Sequence, residues 1–152
     1  MEVFGIAPAG TKMLWIIGLI PIFVLVLVGA IVTASISGAR GSTFEISNDG
    51  LRIRGDWYGR LIPASHLVGG TARRVNLAQS PELTPGRRTM GTGLPGYQAG
   101  WFRLRNGDRA LVYLTDRSKA VYVQTTDGYG VMLSPQEPDK FLAALNASVG
   151  RR

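Results

Sequence analysis

The sequence predicts a mainly β domain: an antiparallel sandwich or partly open barrel of about seven strands, closed by one C-terminal helix and preceded by a single transmembrane helix. Three observations carry this. Short stretches that alternate apolar and polar residues recur between Thr43 and Leu133, with turn signals between them. A run of 22 uncharged residues, Met13–Ala34, precedes them. An apolar stripe of helical period, Phe141, Leu142, Leu145 and Val149, follows them.

The apolar run sets the organisation. As a helix rising about 1.5 Å per residue it is about 33 Å long, enough to cross a hydrocarbon core of about 30 Å. Fourteen of its residues are Leu, Ile, Val or Phe, and these favour insertion by roughly 4 to 8 kcal/mol. Pro21 is tolerated in such a helix. Nothing basic precedes Lys12, and the run exceeds the apolar core of a secretory signal, so an uncleaved anchor is expected. Arg40, Arg52 and Arg54 follow the run while Lys12 alone precedes it, which favours a cytoplasmic C-terminal side. Gly29, Thr33 and Ser37 repeat every four residues, as do Ala30, Ala34 and Gly38, a spacing that lets two helices approach closely in a homo-oligomer.

The β pattern begins at Thr43. Phe44 and Ile46 alternate with polar neighbours, Asn48-Asp49-Gly50 signals a turn, and Leu51 and Ile53 alternate with Arg52 and Arg54. This is a hairpin with one apolar and one basic face. Another strand is expected from Tyr58 to Ile62, ended by Pro63, and a short one at Arg73–Leu77. Residues 78–100 hold three prolines and five glycines and are expected to form a long loop, of the kind that is often functional. Alternation resumes at Trp101–Leu104, turns at Asn106-Gly107, and continues through Ala110–Leu114, AVYVQTT and YGVML. Ser134 and Glu137 suggest a capping box with Pro135 at the first position of a helix over 135–147.

Composition bounds the partners. The formal net charge is +7, and residues 41–152 hold 15 Lys or Arg against 9 Asp or Glu. Such a surface suits acidic proteins or anionic lipid headgroups. No nucleic-acid partner is expected. There is no cysteine, which excludes disulfides and thiolate metal sites. His66 is the one histidine, so no metal cluster is expected around it. No Gly-x-Ser-x-Gly elbow is present. Gly91-Thr92-Gly93-Leu94-Pro95-Gly96 has the spacing of a dinucleotide-binding loop, but no strand–loop–helix unit surrounds it. Asp56, beside Trp57, is either a buried partner for an arginine or a turn residue. No catalytic, cofactor-binding or metal-binding residue is assigned, and no cofactor is expected.

The runs Phe44–Pro63 and Gly91–Asp116 and the ending Leu133–Leu145 resemble the bacterial pleckstrin-homology-like (PH-like) domains found behind transmembrane segments. The resemblance implies a PH-like sandwich over 43–147. It leaves a tail at 1–12, the membrane helix at 13–36, a linker at 37–42 and a basic tail at 148–152. It implies a non-catalytic binding or assembly module in a bacterial inner membrane, contacting a protein partner or anionic headgroups; the alternative is an enzyme with a site in the glycine-rich loop 86–100. The basic cluster of eukaryotic phosphoinositide binders has no counterpart here, since the first hairpin turn is Asn48-Asp49-Gly50. The expected contact site is the loop itself. Arg87 and Arg88 supply bidentate donors, Gly91 and Gly93 a backbone concavity for an anion, and Tyr97 and Trp101 aromatic surface.

Overall fold

The computed structural model describes residues 12–150, with side chains described for 18–33 and 41–150. The chain divides into two units between Ile36 and Ser37. The first consists of most of α1, a helix over Lys12–Gly41 with Pro21 inside it. The helix continues through 37–41, where a linker was expected. Its described side chains, 18–33, are all exposed. Among the described residues no helix is long and apolar enough to cross a membrane. The ends of the Met13–Ala34 run lie outside the described side chains; of the expected tails at 1–12 and 148–152, residues 1–11 and 151–152 lie outside the described residues, and 148–149 belong to the C-terminal helix.

The second unit holds two sheets and a helix. β1 (Thr43–Ser47), β2 (Gly50–Arg54) and β3 (Leu61–Pro63) form an antiparallel sheet in that order. The expected first hairpin is present, with Ser47 paired to Gly50. Phe44, Ile46, Leu51, Ile53 and Ile62 face inward, while Glu45, Arg52 and Arg54 face solvent. Pro63 sits on the edge strand β3, where its missing N–H costs no ladder bond.

The second sheet has six strands: β4 (Arg73–Val75), β5 (Pro85–Leu94), β6 (Tyr97–Leu104), β7 (Arg109–Leu114), β8 (Ala120–Gln124) and β9 (Gly130–Leu133). Their order is β4-β8-β9-β7-β6-β5. The described residues thus form nine strands rather than seven, and the two sheets do not close into a barrel. One pair departs from the expected antiparallel pattern: β9 lies between β7 and β8 and runs parallel to β7. The turn at Asp116–Lys119 therefore spans the width of a strand, and the later strand fills the gap.

The six-stranded sheet is buried on both faces. Ala99, Trp101, Leu111, Tyr113, Val123, Val131 and Leu133 pack toward the small sheet. Phe102, Leu104, Ala110, Val112, Leu114, Tyr122 and Met132 face the other way, beneath Val75, Leu77 and Leu83. The segment 76–84, expected as the end of a strand through Leu77 and as open loop from residue 78, is thus the cover of a second apolar layer. The helix α2 (Pro138–Val149) closes the sandwich with the expected stripe: Leu145 is fully buried, and Phe141 and Val149 pack on the core. It starts three residues later than expected. The Ser134 hydroxyl donates to the Asp116 carbonyl at 3.0 Å instead of capping a helix, and Pro138 takes the first helical turn.

Candidate functional site

The expected loop 78–100 is mostly a hairpin. Leu94 pairs with Tyr97, so Pro95 and Gly96 form a two-residue turn. Gly96, at φ +79°, follows a proline, the arrangement that suits a type II turn. The Pro-Gly dipeptide was the available signal, and the glycine-rich spacing around it concealed the strand. Gly91 faces Gly100 across the hairpin, both with positive φ. A Cβ on Gly91 would lie 2.2 Å from the Ala99 carbonyl oxygen, and one on Gly100 would lie 2.5 Å from that of Met90. These glycines let two strands approach closely, which replaces the expected anion-binding concavity with a ladder. The dinucleotide-like spacing is likewise strand and turn.

β5 is an edge strand. Its one neighbour is β6, and among the described residues its outer backbone edge has no partner. Two bulges interrupt its first half: Pro85 to Arg88 oppose Leu104 to Phe102, and Arg88 to Met90 oppose Phe102 to Trp101. The stretch Met90–Leu94 is regular. Arg87 and Arg88 are exposed, and among the described residues neither side chain makes an ion pair or hydrogen bond. The Arg88 side chain runs over Gly93, whose missing Cβ would sit 3.8 Å from its Nη1. Met90 is 60% exposed and Leu94 37%, so the regular stretch presents apolar as well as basic side chains.

Tyr97 and Trp101 do not join this edge. They alternate with Gln98 and Gly100 onto the inner face of β6 and are 9% and 7% exposed. Trp101 is covered by two cations, the Arg109 guanidinium 4.2 Å and that of Arg60 4.9 Å from its ring centroid. Tyr129 meets its edge at 5.0 Å. The six expected contact residues therefore separate. Arg87, Arg88 and Gly93 lie on the open edge, Gly91 holds the hairpin together, and Tyr97 and Trp101 belong to the core.

Tyr97 also walls a cleft of about 710 Å³, between β1 and the ends of β6 and β7. Thr43, Phe44, Tyr113, Thr115, Ser134 and Phe141 share the lining. No carboxylate, histidine, lysine or arginine lines it. Its lining offers hydroxyls, aromatic rings and the Gln136 amide. Next to it, Asp56 settles the choice left open by the sequence. Its Oδ1 accepts the Tyr58 N–H at 2.9 Å and the Tyr113 hydroxyl, so its partner is a tyrosine rather than an arginine. Burial, and then this bond, push the Tyr113 hydroxyl far above the ordinary phenol range. His66 Nδ1 lies 2.9 Å from Asp127 Oδ2, tying the segment after β3 to the β8–β9 turn. Among the described residues no group of His, Cys, Asp or Glu could hold a metal ion.

The family model described as bacterial PH domain matches residues 42–149. The chain belongs to the bacterial PH domain family. The match begins one residue before β1 and ends with α2. Neither a curated relative nor a solved structure matches the chain significantly. PH-like domains are in general non-catalytic binding modules.

Proposed function

We propose that the chain is a membrane-tethered, non-catalytic binding module of a bacterial inner membrane, whose bacterial PH domain holds a protein partner along the open edge of β5 on the cytoplasmic side. The tether rests on the 22-residue uncharged run Met13–Ala34, which α1 contains whole. The contact rests on one observation: among the described residues β5 offers an unpaired backbone edge beside Arg87 and Arg88, which have no acidic partner there. An extended segment pairs with such an edge through main-chain hydrogen bonds, with side chains on alternate positions giving specificity. The two arginines favour an acidic segment, and the regular stretch Met90–Leu94 gives it a ladder. Bulges and charges also protect edges from indiscriminate pairing, which confines pairing to that stretch. The alternative, an enzyme with a site in 86–100, is disfavoured because those residues are engaged in the β5–β6 ladder.

Alkaline extraction of membranes that carry the full chain tests the tether; the chain should stay in the membrane fraction. For the contact, Arg87→Glu with Arg88→Glu should abolish partner recovery from solubilised native membranes, while Arg73→Glu, exposed on β4 at the opposite edge of the six-stranded sheet, should leave it intact. Equal recovery with all variants would move the contact away from β5.

A further inference from the structure

The cleft between β1 and the ends of β6 and β7 draws no lining residue from β5, and all its lining residues belong to the second unit. At about 710 Å³ it falls in the range of about 300 to 1,000 Å³ that holds small molecules. Three rings form one wall: Phe44 meets Tyr113 edge-on at 6.1 Å and Phe141 at 6.2 Å. Tyr113 is buried and its hydroxyl is held by Asp56, while Phe44 and Phe141 are only half-buried. Contacts within the domain also fix the polar side. The Ser134 hydroxyl donates to the Asp116 carbonyl and accepts from the Asp116 N–H.

The remaining polar groups of the cleft are uncommitted. Among the described residues the Thr43 and Thr115 hydroxyls and the Gln136 amide make no hydrogen bond. Ser42 goes further: among the described residues its hydroxyl is the one buried side-chain polar atom without a partner. A buried hydroxyl left unpaired is costly, and a bound polar molecule is one remedy. All four groups can both donate and accept, and none carries a charge. This neutrality stands out in residues 41–152, which hold 15 Lys or Arg and 9 Asp or Glu. Asp116, Arg117 and Glu137 adjoin lining residues in sequence, yet none of them lines the cleft. A phosphate or carboxylate placed there would lose water without gaining a counter-charge. An extended peptide fits no better. Strand addition needs a run of free backbone, but α2 lies along β1, with Phe141 against Phe44 and the Ser148 hydroxyl donating to the Ser47 carbonyl at 2.8 Å. Only Thr43 and Phe44 of β1 line the cleft.

We propose that this cleft binds a neutral sugar, with an apolar ring face laid on Phe44 and Phe141 and its hydroxyls bonded to Thr43, Thr115, Gln136 and Ser42. A sugar ring has the matching construction: C–H faces that lie on aromatic rings, and a rim of hydroxyls that both donate and accept without charge. The site is separate from the β5 contact and does not depend on it.

The test applies the full chain, in a detergent without a sugar headgroup, to an array. The array carries neutral oligosaccharides, their sialylated and sulfated counterparts, neutral glycosyl diacylglycerols and uncharged peptides. Thr115→Val with Gln136→Ala is compared with the wild type; both side chains are exposed and unbonded among the described residues, so thermal unfolding should be unchanged. The expected result is retention on neutral sugars at least fivefold above their acidic counterparts, weakened about tenfold in the double variant. Arg87→Glu with Arg88→Glu should retain sugars as the wild type does, so this site and the β5 contact can fail separately. Retention on the oligosaccharides alone identifies a free glycan as the source, retention on the glycosyl diacylglycerols alone a lipid headgroup, and retention on both a terminal sugar whatever carries it. No retention on any neutral sugar, equal retention on the acidic counterparts, retention unchanged in the double variant, or retention on peptides alone would overturn the proposal.

Discussion

At the scale of single residues, the contact that matters most is between Asp56 and Tyr113. It joins the β2–β3 turn to the centre of the six-stranded sheet, and both groups are at least partly withdrawn from water. Tyr113→Phe should destabilise the domain by about 1.5 to 3 kcal/mol, because a carboxylate loses its charge-assisted partner; chemical denaturation measures this. The same bond sets an alkaline limit. The folded state keeps Tyr113 protonated to a higher pH than the unfolded chain does. Between the ordinary tyrosine value of about 10 and the raised folded value, the unfolded state therefore binds fewer protons, and stability falls as pH rises. Tyr122, raised by burial, adds to the trend. Stability measured across the alkaline range should decline in the wild type and decline less steeply in Tyr113→Phe. The glycines separate by mechanism. Gly91→Ala combines a positive φ with a backbone clash, whereas Gly96→Ala meets the φ cost alone, with open space around it. Thermal unfolding should show a loss of about 1 to 2 kcal/mol for Gly96→Ala and a clearly larger one for Gly91→Ala.

At the scale of elements, the segment 76–84 is the least obvious part of the design. It carries Leu77 and Leu83, which cover an outer sheet face that would otherwise meet water. Leu83→Ala should cost about 2 to 5 kcal/mol by denaturant titration, the range for a buried leucine with partial relaxation. A solvated loop residue would cost almost nothing. How legible each element was in the sequence follows from its physics. The first hairpin alternated cleanly because one face of its sheet is wet, and the turn residues were explicit. The strands β7 to β9 were found by their turns. Their two-faced burial, with every residue of β9 buried, was invisible to an alternation argument. β5 was missed because an edge strand with eight of its ten residues exposed and three glycines inside it has no hydrophobic period to detect. The parallel β7–β9 pair was not legible at all, since pairing order is set by long-range packing. Of the expected contact residues, Arg87 and Arg88 are exposed. The sequence could not show that Trp101 lies beneath Arg60 and Arg109, one of them 41 and the other 8 residues away in the chain.

At the scale of the whole chain, an apolar helix leads into a bacterial PH domain whose sheets stay open at their edges. An open edge is a pairing hazard unless something specific uses it. The bulges and arginines of the first half of β5 deter casual pairing, and the second half remains a usable template. On the proposed reading this is the logic of a docking strand, while the cleft is lined by hydroxyls, rings and the Gln136 amide. A photo-reactive amino acid placed at Met90 of the full chain, in native membranes, tests that logic most directly, because Met90 begins the regular stretch and is exposed. The account predicts a discrete cross-linked protein partner that disappears when Arg87→Glu and Arg88→Glu are added. No protein adduct from Met90, or one that survives the charge reversal unchanged, would contradict it.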